Sequence, residues 1–191
     1  LIPDGDLYKA LRNGKAEVVT DEVEQFCKSG ITLKSGKVLE SDIIVTATGL
    51  NLKLLGGISL GLDGKPISIP ECYSYKGLMF SGIPNLVYSL GYINASWTLR
   101  SEITAEFVCR VLNHMKTLNT GRVVANFNPD DISSEDSAFI GDFNPGYITR
   151  SAHLMAKQST KDPWRFNQNY SLDKKLIRNG KLEDGFLTFS N

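Results

Sequence analysis

A chain of 191 residues, 41% hydrophobic and 22% charged, carries apolar side chain enough for one ample core or two small lobes and reads as globular. Its 21 lysines and arginines balance 21 aspartates and glutamates, which excludes a global field that would draw it to nucleic acid or to an anionic membrane. Cys27, Cys72 and Cys109 are odd in number and lack any CxxC spacing, so they argue against a disulfide framework or a zinc knuckle and for a reducing, cytoplasmic setting.

The chain opens at Leu1 on a turn, Pro3-Asp4-Gly5, and not on methionine, which raises the expectation that it begins partway through a longer protein. It shows no basic-then-apolar leader and no apolar run of about 18 residues. Asp6 is placed to cap a short helix, LYKALRNG, that Gly14 stops. The period then changes: AEVVT, VEQFC and ITLKSGKVLE read as strands, the last folding as a hairpin about Ser35-Gly36. This antiparallel ribbon leads into DIIVTATGL, where Ile43, Ile44 and Val45 are apolar on both faces, as in a central strand covered on two sides.

From Leu50 to Lys76 the chain is punctuated by turns at Gly56-Gly57 and Asp63-Gly64. GLMF and NLVYSLG read as further strands. After Gly91 the best helix begins: Leu99, Ile103, Phe107, Val111, Leu112 and Met115 recur at helical spacing, with Asn94 or Ser96 suited to cap it. Asn119 to Asp142 reads as a polar, acidic loop, Tyr147 to Lys157 as a second helix broken by Asp162-Pro163-Trp164, and the end as a Leu-Thr-Phe edge strand.

Few residues suit chemistry on their own. No strained strand-to-helix nucleophile elbow for a serine hydrolase is read in the sequence, and neither GxxxxGK[ST] nor GxGxxG is present to cradle a phosphate. Asp130-Asp131 and Glu135-Asp136 sit in the polar loop, where solvation keeps carboxylates ordinary. His114 and His153 are the only histidines and read as structural. Asn126 to Asn144 holds five acids and no base, whereas Pro145 to Asn191 holds eight bases against four acids, a mildly basic tail that reads as solvated surface.

What remains is a pair of turns, VTATGL and SLGYINASWTL. Ligands of open sheets gather beyond strand ends, and a helix start there presents unpaired amides to an electron-rich group. Gly49 and Gly91 carry no side chain to keep a flat ligand away.

On these residues the chain resembles the flavin-containing monooxygenases, particularly the Baeyer-Villiger type and the subgroup related to ethionamide-activating monooxygenase. DIIVTATGL is similar to that family's Ala-Thr-Gly motif, GLMFSGIPNLVYSLGY to the strands re-entering the flavin domain, and NASWTLRSEIT with FVCRVLNHM to the helix capping the flavin. The PDGDLYKAL opening and the PWRFNQNY tail extend the likeness over most of the chain.

The resemblance implies an α/β fold: the carboxyl-terminal part of a flavoprotein with two Rossmann-like dinucleotide-binding domains, including an antiparallel ribbon and one long helix. Residues 1–49 would be the tail of the NADPH-binding domain, 50–125 the returning part of the FAD-binding domain and 126–191 a carboxyl-terminal extension. It implies FAD and NADPH as cofactors of the parent enzyme, O2 as co-substrate and a ketone or thioether as substrate. Carried over by position, Ala47, Thr48 and Gly49 mark the crossing between nucleotide domains. Gly91, Asn94, Ala95, Ser96 and Trp97 lie at the pyrimidine side of the flavin, and Trp97, Thr98 and Leu99 line the flavin or substrate wall.

The family's two GxGxxG loops and its catalytic arginine are absent from this sequence. A catalytically inactive fragment is expected, one that needs the missing amino-terminal part of the same protein or self-associates through uncovered sheet edges. Two rival readings are another flavin oxidoreductase of the NADH dehydrogenase or disulfide reductase kind, and a non-enzymatic binding or dimerisation module. Paired redox cysteines would favour the first, and none is present.

Overall fold

A computed structural model of the chain describes residues 3–128, 130 and 146–191. It divides into two units, Leu1–Thr48 and Gly49–Asn191, each described by itself.

In the first unit the chain enters through a tight 3-10 turn, Pro3–Gly5, with Asp4 and Gly5 both left-handed. Gly5 therefore takes the cap position of α1, Asp6–Arg12, and Asp6 becomes its first residue. There its carboxylate favours the positive helix end and meets Lys9 at 3.3 Å. The strands β1, Val23–Cys27, β2, Gly30–Leu33, and β3, Val38–Glu40, form an antiparallel sheet in that order. The hairpin between β2 and β3 turns at Ser35-Gly36 as the sequence expects: Gly36 has φ +85° and donates to the Leu33 carbonyl at 2.9 Å. A Cβ at Gly30 would overlap the Leu39 carbonyl, so only glycine lets β3 close on β2 there.

Two expected strands do not form. AEVVT makes no ladder, and neither does DIIVTATG, whose Ile43 and Val45 stand 82% and 83% exposed. Apolar residues on both faces announce a strand that two layers could cover, but a strand exists only through ladder partners. Among the described residues none pairs with this run.

The second unit begins with a 3-10 turn, Leu54–Gly57, and a two-residue hairpin joining β4, Gly61–Leu62, to β5, Lys65–Pro66. Asp63 and Gly64 both have positive φ, the conformation such hairpins require. Next come β6, Ser74–Tyr75, and β7, Met79–Phe80, antiparallel across Lys76-Gly77. NLVYSLG is not a strand: Tyr88 donates once to the Leu78 carbonyl, and no ladder develops.

The long helix α2, Trp97–Leu118, follows, stopped by left-handed Asn119. It buries Ile103, Phe107 and Val111 along one stripe, whereas Leu112, one step round from Val111, turns to solvent. β8, Arg122–Ala125, lies inside the stretch read as an acidic loop, and pairs along its length with β9, Leu187–Ser190. Asp131, Glu135 and Asp136 lie outside the described residues; Asp130 is exposed.

The expected helix at Tyr147 is shorter than its pattern: α3, Gly146–Ser151, passes into a 3-10 turn, Ala152–Leu154. α4, Tyr170–Asn179, went unread in the sequence, although Asn169 caps it by accepting from Leu172 N at 3.1 Å. Arg110 of α2 donates to the carbonyls of Ile177 and Gly180, satisfying the end of α4.

The core lies where α2 meets β6, β7 and the β8–β9 ribbon. Trp164 sits at its centre, edge-on to Tyr75, Phe127 and Phe186 with ring centroids 5.0–5.9 Å apart. A smaller cluster stacks Phe80 on Tyr88 at 4.2 Å. The architecture is mixed α/β, with small antiparallel sheets and one long helix. No described helix is long and apolar enough to cross a membrane.

Candidate functional site

The two turns singled out in the sequence fall in different places. Ala47 and Thr48 close the first unit, exposed and without ladder partners. Gly49 opens the second with φ +92°, a left-handed conformation that a Cβ would strain although nothing crowds it.

The second turn is built in more detail. Tyr88 to Tyr92 run without regular secondary structure into the corner, and residues 93–95 bend the chain toward α2. Asn94, Ala95, Ser96, Trp97 and Thr98 are exposed, Trp97 at 61%, and Leu99 is half-buried. Ser96 holds the cap position, but its hydroxyl bonds the Thr98 hydroxyl at 2.7 Å and caps no amide. The start of a 22-residue helix thus faces outward with no side-chain acceptor for its first amides among the described residues, the arrangement that favours an anionic or electron-rich group.

Gly91 is buried, and the flat group lying against it is the Trp97 indole, which a Cβ at Gly91 would overlap. Its missing side chain makes room for that ring. Beside them opens a cavity of about 390 Å³, walled by Leu52, Leu55, Leu90, Trp97, Tyr147, Ile148 and Met155, with Lys53 the one charged lining residue among those described. Gly91 and Trp97 line it, whereas Asn94, Ala95, Ser96, Thr98 and Leu99 do not.

Beneath the corner lies a polar network that motif reading did not find. Arg100 is fully buried, its guanidinium donating to Asp173 Oδ2 at 2.8 Å and to the Lys76 carbonyl, over the Phe166 ring at 4.7 Å. Tyr92 donates to the same Asp173 oxygen at 2.8 Å. Burial pushes the Tyr92 phenol up to about 12. Burial also raises the Asp173 carboxyl above the ordinary carboxylate range, against the pull of Arg100. A signal was present in the helical pattern: Arg100 stands three residues before Ile103 on the buried stripe, and an arginine there demands a buried counter-charge. Asp173, four residues before buried Ile177 on α4, supplies it.

The other candidates serve elsewhere. His114 meets Glu183 at 2.9 Å and lies edge-on to Phe189 at 4.8 Å, and His153 is exposed. Cys27, Cys72 and Cys109 are all unpaired. Among the described residues, no group of three His, Cys, Asp or Glu is placed to hold a metal ion.

Comparison with known proteins places this geometry in context. No protein-family model matches the chain, and no solved structure does. Curated proteins match throughout: the FAD-containing monooxygenase EthA of Mycobacterium tuberculosis (strain ATCC 25618 / H37Rv) is 49% identical over 190 residues, all of this chain. A probable FAD-binding monooxygenase, AlmA, of Acinetobacter sp is 44% identical over 99% of the chain. The putative FAD-containing monooxygenase MymA of Mycobacterium tuberculosis (strain ATCC 25618 / H37Rv) is 42% identical over the same share. The chain spans 38% of the length of each of these relatives. Over its whole length, then, this chain is similar to a part of each of these FAD-containing monooxygenases.

Proposed function

We propose that the chain is the carboxyl-terminal portion of an FAD- and NADPH-dependent monooxygenase that inserts one atom of O2 into a ketone or a thioether, on a Rossmann-like two-dinucleotide-domain frame. The observation that carries this reading is the outward-facing, uncapped start of α2 beside an apolar cavity, in a chain related throughout to FAD-containing monooxygenases.

The residues present fit a flavin edge at the helix start and not at the Gly91 backbone, where the indole already lies. The amides around Asn94, Ala95, Ser96 and Trp97 would hold negative charge on the pyrimidine edge of the ring. Trp97, Thr98 and Leu99 would wall the flavin or the substrate, and the apolar cavity lining would exclude water. Bound FAD supplies the oxygen-activating redox chemistry. Ala47, Thr48 and Gly49 would mark the crossing between the nucleotide-binding domains.

The partner of this chain is then the remainder of the same protein, which would give the unpaired run Ile43–Val45 its ladder neighbours and cover its apolar side chains. By itself the chain is inactive and self-associates. The test is reconstitution: the chain is mixed or co-expressed with the remaining portion of its parent, and flavin retention and NADPH oxidation are followed with a simple ketone and a simple thioether. FAD retained and substrate oxygenated only when both pieces are present is the expected result. A reconstituted protein that retains no FAD sinks the reading.

A further inference from the structure

The corner from Gly91 to Trp97 has few ties of its own: the Ser96–Thr98 hydroxyl pair and the amide of Leu99 bonded to the Ser96 carbonyl. The Ser89 and Ser101 hydroxyls pair at 3.2 Å across its two ends, and the other bonds that fix its direction come from one later stretch, residues 166–173. Asp173 Oδ2 accepts from Tyr92, at the entry to the corner, and from Arg100, in the first turn of helix after it, at 2.8 Å each. Gln168 grips the corner between them: its Oε1 accepts from Ile93 N at 2.9 Å and its carbonyl accepts from Asn94 Nδ2 at 3.2 Å.

Gln168 adopts φ +49°, a left-handed conformation that a residue with a Cβ holds at a cost, so its surroundings over-determine it. Phe166 lays its ring beside the Arg100 guanidinium, and a Cβ at Gly77 would come within 2.8 Å of Arg100 Nη2 and 2.9 Å of that ring. A side chain at Gly77 would push both from their places. A carboxylate suits position 173, because two donors converge on one oxygen and the buried guanidinium requires a counter-charge. Gln168 is neutral and half-buried, so its loss stays local.

We infer that Gln168 and Asp173 are positioning residues, which clamp the chain at the entry to, within and after the Gly91–Trp97 corner and so set the direction in which the start of α2 is presented. That the presented edge is a flavin edge rests on the proposed function; the clamp itself rests on the contacts above.

Two readouts separate these. In the 191-residue chain, hydrogen exchange of residues 88–100 is compared with that of the β8–β9 ribbon for wild type, Gln168→Ala, Gln168→Glu and Asp173→Asn. In the FAD-loaded holoenzyme carrying the same substitutions, the flavin absorbance spectrum and the split of effects between KM and kcat are measured. Gln168→Ala removes one acceptor, so exchange at Ile93 rises by about two- to tenfold while the ribbon keeps its protection. Gln168→Glu, which keeps an oxygen for the Ile93 amide, restores it. Asp173→Asn loosens residues 92–100 further. In the holoenzyme, Gln168→Ala shifts the flavin spectrum and Gln168→Glu returns it. Unchanged exchange at the corner in Gln168→Ala overturns the clamp, as does an equal rise in the ribbon or a failure of Gln168→Glu to rescue. A corner that loosens and is rescued while the flavin spectrum never moves leaves the clamp standing and removes the flavin from that corner.

Discussion

In the unit Gly49–Asn191 an indole sits among tyrosine and phenylalanine rings under a buried helix face. In the unit Leu1–Thr48, Leu33 at 3% exposure is the buried hydrophobic residue among those described, and Phe26 stands 61% exposed on its own sheet. The first kind of unit is held by burial, the second by hairpin hydrogen bonds and ladder register. A three-stranded sheet with one buried apolar side chain of its own is marginal in water. The contrast teaches where each unit's stability comes from, and a covering partner for Leu1–Thr48 would supply what its own residues do not.

The largest break in this contrast is expected at Trp164→Ala, which empties the centre of the core and destabilises by about 3–5 kcal/mol. Calorimetry would read a lower melting transition, and exchange across β1 to β3 would be untouched. If β1 to β3 lose protection together with β8 and β9, the two units fold as one and the contrast fails.

Next in size is the buried ion pair. Asp173→Ala leaves Arg100 without its counter-charge and costs about 3 kcal/mol, whereas Arg100→Met combined with Asp173→Leu removes both charges and recovers most of that loss. A double variant no more stable in urea than Asp173→Ala alone would show that the pair contributes more than mutual neutralisation.

Alkaline pH should act on the same unit. Burial pushes Tyr88 and Tyr92 up to about 12, from an ordinary value of 10.0. The folded state therefore holds phenolic protons that the unfolded state releases, so their stabilisation is full below pH 10 and fades as pH rises through 12. Each phenol accounts for about 3 kcal/mol across that window. The tyrosinate absorbance that Tyr88→Phe and Tyr92→Phe remove, as distinct from that of exposed tyrosines such as Tyr8, should rise together with unfolding in this range; its appearance with the fold intact would contradict the burial of both rings.

How much of this the sequence disclosed follows from the range of the interactions. The hairpin at Ser35-Gly36, the turn at Asp63-Gly64 and the stripe of α2 are local, and side-chain pattern with turn chemistry states them directly. β8 is short and lies among polar residues; it is a strand because Leu187–Ser190 returns to it from far along the chain, which no local pattern announces. The run Ile43–Val45 is the converse, a strand pattern without a ladder. At the candidate site, Gly91 and Ser96 were visible as turn and cap, but the reason for Gly91 was not: the indole that needs its space belongs to Trp97, brought back by the bend. Arg100 was visible as a charge out of place on an apolar stripe, whereas Asp173 and Gln168 reach the corner only through tertiary folding.

The smallest effect on stability, and the sharpest test of the first unit, lies in that unpaired run. Ile43→Lys and Val45→Lys place charge where the side chains already face solvent, so each should change unfolding free energy by no more than about 0.5 kcal/mol. Their effect should appear in association, because a lysine in an unpaired apolar run opposes the docking of another strand against it. Sedimentation velocity should show less self-associated material than wild type at equal concentration, with the melting profile of the second unit unchanged. A marked loss of stability in either variant would mean that these side chains are packed in solution, and the first unit would then possess the core that its exposed residues deny it.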